Sequence, residues 1–192
     1  MLRLSDPAIH YATLCTLKPA PGLAGRPVTS PVESSVSEAS PDRHNGSMGI
    51  SDTLGFLLGT WDLSRGYTDH RSGTTAAFQG QAVLAADTAA GPDRAQYEET
   101  GEMCLGSHQG TARRSLVYVR RPGGAVMLYR PGRQPYVDLD LTGGAWDAVH
   151  PCGADRYEIS TVVRSRDLVQ EYWRVQGPDK DYAAVTTLRR AG

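Results

Sequence analysis

Eight consecutive residues, His150-Pro151-Cys152-Gly153-Ala154-Asp155-Arg156-Tyr157, bring an imidazole, a thiol, a carboxylate and a phenol within reach of one another. In extended backbone His150 and Cys152 point to the same side, so with Asp155 they suggest a nucleophilic dyad and its acid, or three zinc ligands. His150 also suits a proton carrier near neutral pH, with Asp155 or Tyr157 assisting an isomerisation, cyclisation or hydrolysis. A structural reading competes and weighs more: Pro151 and Gly153 mark a bend, and Asp155 caps its backbone N–H groups. The Cys-x-x-Cys or His-x-x-x-His spacing of a metal centre is absent, so no metal is expected.

Other candidates are cations and aromatic rings. Arg71, in the DHRSG turn, suits bidentate capture of a ligand carboxylate at a barrel mouth, although Asp69 and Gly73 there serve a turn equally well. Arg113 and Arg114 are adjacent, so on a strand one faces in and the other out. An inward arginine needs an acid, and Glu98, Glu99 or Glu102 on the preceding strand supplies it, as a buried pair or beside a ligand. Lys180 invites a Schiff base or a ligand carboxylate, or forms a solvated pair with Asp181. Tyr157 and Trp173 belong to an aromatic set of nine Tyr against two Phe. That bias suits apolar cavity walls with hydrogen-bonding tips, or rings that bridge core and solvent.

Short strands must position these residues. From residue 56 onward, apolar and polar residues alternate with period two in runs such as SLVYVRR, YVDLDL and YEISTVVR, broken by Gly, Pro and Asp. Strands are expected at 57–66, 75–85, 95–105, 112–120, 124–130, 135–141, 155–164, 168–175 and 181–190. Hairpin-length links join them. So many sequential antiparallel strands leave exposed edges unless the sheet closes, which predicts an all-β, small closed meander barrel of eight or nine strands. TLGFLLGTW reads as one helical turn plugging its end.

Composition narrows the partners. Twenty Lys+Arg against 21 Asp+Glu give a formal charge of −1, which removes the electrostatic case for nucleic acid or an anionic membrane surface. Three cysteines, Cys15, Cys104 and Cys152, are too few and too scattered for a disulfide framework, and no apolar run spans a bilayer. A cytoplasmic protein with reduced thiols is expected. Residues 1–47 are Pro- and Ser-rich and lack periodicity, so they read as a disordered tail, or as sequence upstream of a true start at Met48. The barrel domain is expected at 49–191.

The blocks LLGTWDLSR, DHRSG, FQGQA, YEETGEM, GSHQGTARRSLVY, GRQPYVDLDL, HPCGADRY, YWRV, GPDKDY and TTLRR carry a family resemblance. Residues 54–190 resemble an uncharacterised bacterial family of single-domain, calycin- or lipocalin-like proteins of unknown function. The resemblance implies a lipocalin-like barrel in which Arg189 or Arg190 packs over the Trp61 indole. It assigns no reaction. Relatives of this kind carry Phe-His where this chain has Tyr136-Val137, so a shared His pair would here be reduced to His150. A haem site would need an axial His on a late strand, and none follows His150. No cofactor is expected. The reading that emerges is a barrel binding a small, partly apolar molecule through Arg71, Arg113 or Arg114, His150, Asp155, Tyr157, Trp173 and Lys180; the rivals are an acid/base enzyme and a barrel filled by its own side chains.

Overall fold

The computed structural model describes residues 46–192. The tail or leader expected over residues 1–47 lies outside the described residues as far as residue 45. A short helix, α1 (Thr53–Leu57), precedes β1 (Gly59–Asp69), β2 (Thr75–Ala86), β3 (Arg94–Leu105), β4 (His108–Arg120), β5 (Val126–Arg130), β6 (Gln134–Leu139), β7 (Ala145–Cys152), β8 (Asp155–Ser165), β9 (Leu168–Gln176) and β10 (Asp181–Arg190). All ladders are antiparallel, in the order β6-β5-β4-β3-β2-β1-β10-β9-β8-β7. The result is the expected all-β barrel, nearly closed, with a tenth strand.

That tenth strand corrects the sequence reading. Residues 145–152 form β7 rather than a bend, and the turn shrinks to Gly153 and Ala154, with Gly153 at φ 64°. Pro151 hides this strand in the sequence, yet β7 is a sheet edge, where a residue lacking an N–H is tolerated.

Alternation decides what lies inside. In β10, Tyr182, Ala184 and Thr186 are buried and their neighbours are not, and the register carries that parity around the barrel. Trp61, Leu63, Phe78, Leu116, Val126 and Val169 fill the end next to α1. Asp52 caps α1, accepting from the Leu54 N–H at 3.1 Å. Arg190 closes this end: its guanidinium lies 4.2 Å from the Trp61 ring centroid and donates to the carbonyls of Leu58 (3.0 Å) and Phe56 (2.8 Å). The indole N–H donates to the Leu57 carbonyl at 2.8 Å. The expected Arg–Trp closure is present, and Arg190 makes it.

The two sheet edges, β6 and β7, border a seam. Near α1 the seam is stitched by the segment before the helix: Met48 N–H donates to Val163 O (2.8 Å), Ile50 N–H to Thr142 O (3.2 Å), and Leu141 N–H to the buried Thr53 hydroxyl (3.0 Å). At the opposite end of the barrel, the mouth, the seam holds a cavity.

Candidate functional site

Nine residues line that cavity, and four strands near the mouth supply most of them. β6 contributes Pro135, Tyr136 and Val137, β7 His150 and Cys152, β8 Tyr157 and Ile159, and β9 Trp173; Arg130 ends β5. Three consecutive residues of a regular strand cannot all face one side. The register of β5 against β6 shifts between Leu128 and Tyr129, leaving Tyr136 as the extra residue, so strict alternation is interrupted where these three residues border the opening. About 50 Å³ is enclosed, within a concavity of about 380 Å³ counted out to open solvent. That volume has room for a few waters; a larger molecule must lie across the mouth.

The walls are aromatic. Tyr136 lies 6.2 Å from Trp173, centroid to centroid, with planes 17° apart, and Tyr157 meets Trp173 edge-on at 6.4 Å. His150 meets Tyr157 edge-on at 6.3 Å, the two being cross-strand partners. Burial, acting first, raises the pKa of the Tyr136 phenol, which therefore remains a donor at neutral pH. Beside this wall, Lys180 donates to the Tyr157 hydroxyl (2.8 Å), pairs with Asp155 (2.8 Å) and lies 5.4 Å from the Tyr157 ring centroid. Asp155 is thus engaged by the lysine.

Beneath the mouth runs a charged layer. Arg65 on β1 grips Glu99 on β3 with two bonds, 2.8 and 3.2 Å; Arg114 on β4 reaches the same carboxylate at 3.1 Å, and the Tyr97 hydroxyl donates to it at 2.7 Å. The Arg65 Nε–H donates to Thr186 at 2.8 Å. Glu99 is wholly buried. Burial alone would lift its pKa, but the Arg114 and Arg65 charges, with the Arg65 and Tyr97 hydrogen bonds, outweigh that and bring it to about 2. Burial and the Glu99 charge push the Tyr97 phenol well up, and burial above all raises Tyr118. This layer, two arginines on one carboxylate, is a fixed floor.

The structure thus gathers His150, Asp155, Tyr157, Trp173 and Lys180 at one end of the barrel, from three strands and one turn. Arg114 is the inward member of its pair, directly opposite Glu99; Arg113 is exposed on the outer face, opposite Thr100. Arg71 is also exposed, and its guanidinium donates to the Pro178 carbonyl at 2.6 Å, bracing one turn against another. Val137 lines the same cavity as His150. Cys152 and Cys104 are free thiols. Among the described residues, no cluster of His, Cys, Asp and Glu has the makings of a metal site. The sequence reading does not single out Arg65 or Arg130. Arg65 follows a Trp-x-Leu-x alternation that places it inside, a usable signal; the exposure of Arg130 to the cavity depends on the bulge, which has no sequence mark.

Residues 57–190 match the family of unknown function DUF6314. The chain belongs to that family. No curated protein matches it. Among solved structures, the barrel of this DUF6314 member is similar to the S-type phycobiliprotein lyase CPES from Guillardia theta, at 13% identity and TM-score 0.51, over 77% of this chain and 95% of that one. It is more distantly similar to a redesigned β-barrel, mFAP0, bound to DFHBI (16%, TM-score 0.35, 70% and 99% covered). A protein of the DUF3598 family from Nostoc punctiforme shows 12% identity and TM-score 0.37, over 80% and 53% of the two chains. The first of these likenesses supports the fold.

Proposed function

We propose that the barrel domain, residues 49–191, binds a small, partly apolar molecule at its mouth, acting in the cytoplasm and without a nucleic-acid or membrane partner. One observation carries this reading: the seam between β6 and β7 is stitched at the α1 end and holds, at the mouth, a cavity walled by Tyr136, Tyr157, Ile159 and Trp173 with His150 at its side. Apolar walls with a few polar tips are what small-molecule sites present. The free cysteines, the near-neutral charge and the lack, among the described residues, of a helix long and apolar enough to cross a membrane support the rest. The interior below the mouth is occupied by the Arg65–Glu99–Arg114 layer and the core, so the ligand lies over this floor rather than deep in the barrel.

The reading is tested by thermal unfolding of the wild-type protein against a library of small metabolites. At least one should raise Tm, and Trp173→Ala should abolish that shift while the unliganded fold survives. A ligand at a hundred times its Kd stabilises by about 2.7 kcal/mol, well within detection. Absence of any stabilising compound would overturn the reading.

A further inference from the structure

The cavity has a charge sign. Of its nine lining residues, one is a permanent cation, Arg130, one is His150, and none is an acid. Of the carboxylates around it, Asp155 is committed to Lys180, Asp181 to Arg174 and Glu158 to Arg156, while Glu171, on the same face of β9 as Trp173, is not among the lining residues but acts on the Tyr136 phenol. Among the described residues, Arg130 has no carboxylate partner within 4.0 Å, whereas the arginines below the mouth, Arg65 and Arg114, share Glu99. Arg130 is held instead by a ring. Its guanidinium lies 4.3 Å from the Tyr136 ring centroid, which holds the cation against an aromatic face, and it also hydrogen-bonds the Tyr136 phenol; the rest of its five N–H groups can serve a ligand. Tyr136 in turn lies beside Trp173 with planes 17° apart, so the cation, the phenol and the indole are neighbours along one wall.

We propose that the ligand of this site is a planar anion, an aromatic or conjugated carboxylate, whose flat body lies against Tyr136 and Trp173 and whose carboxylate is captured by Arg130. This rests on the mouth being a small-molecule site and adds the chemical class and the anchor. The argument has three parts. An arginine without a carboxylate partner, at an opening whose lining holds no acid, favours negative charge, and a guanidinium fork matches a carboxylate with two parallel hydrogen bonds. Parallel aromatic faces favour a flat apolar body over a branched one. The small enclosed volume admits the edge of a ring but not a bulky group. Lys180 is excluded as the main anchor because Asp155 and the Tyr157 hydroxyl already hold its ammonium.

The test uses matched probes, 2-naphthoate and its neutral isostere 2-naphthamide, titrated by calorimetry into the full chain, with Arg130→Met, Arg130→Lys and Lys180→Met alongside. Wild type should bind the acid at least tenfold more tightly than the amide. Arg130→Met should erase that preference by weakening the acid far more than the amide, Arg130→Lys should restore part of it, and Lys180→Met should keep it. Unchanged far-ultraviolet dichroism and Tm show that each variant folds. Equal affinity of acid and amide for wild type would overturn the anion assignment while leaving a small-molecule site in place. A preference lost in Lys180→Met but kept in Arg130→Met would overturn Arg130 as anchor. Binding of neither probe at millimolar concentration would overturn this inference; the metabolite library would then judge the mouth itself.

Discussion

Replacing Glu99 with Gln tests whether the charged layer under the mouth is held together by that carboxylate. Glu99 is wholly buried and accepts from Arg65, Arg114 and the Tyr97 hydroxyl; the Arg65 side chain is 6% exposed and has no route to water without moving. The variant keeps the shape but removes the negative charge, leaving a buried guanidinium uncompensated. Breaking a buried pair by removing one partner costs about 3–5 kcal/mol, and that is the expected loss in urea unfolding followed by tryptophan fluorescence. The pH dependence gives an independent figure. A carboxyl whose pKa falls from 4.5 to about 2 on folding contributes on the order of 3 kcal/mol at neutral pH. Because the folded state favours the charged form, this stability is complete above about pH 5 and disappears as pH falls toward 2. Wild type should show that acid limb, and Glu99→Gln should lack most of it. The double variant Glu99→Leu with Arg65→Met should recover part of the loss, since the Arg65 charge goes with its partner while Arg114 and the Tyr97 hydroxyl still lack their acceptor. A loss below 1 kcal/mol for Glu99→Gln, or an acid limb of unchanged size, would refute the reasoning.

Three further outcomes are expected. Arg190→Met removes the cap over Trp61 and two donors to the carbonyls of Phe56 and Leu58, and should cost about 2–3 kcal/mol with a change in near-ultraviolet dichroism from the indole. Gly80→Ala and Gly101→Ala should each cost more than 3 kcal/mol in the same urea assay, or prevent folding. These glycines face each other between β2 and β3, and a Cβ on either would sit 2.6 Å from the Cα of the other. Tyr157→Phe should cost under about 1 kcal/mol, because Lys180 keeps Asp155, yet it should shift the affinity of any mouth ligand measured by calorimetry.

The sequence by itself determined the barrel. Period-two alternation in nine of the ten strands chooses which side of each is buried, and Gly and Pro set the links, while the resemblance supplied the Trp61–arginine closure of the base. These signals are local, so a linear reading captures them. The sequence also narrowed the site: a His, an Asp, two aromatic residues and the domain's lone lysine do meet at the mouth, and Glu99 was among the acids able to meet an inward arginine. What only the tertiary structure decided depends on register and on edges. Strand β7 was invisible because Pro151 argues against a strand unless the strand is known to be an edge, and being an edge is a property of the whole sheet. The choice of Arg114 over Arg113 follows from a ladder that puts Glu99 opposite one of them. Arg130, Tyr136 and Val137 reach the cavity through a one-residue bulge, and a shift of one residue reverses every face that follows it.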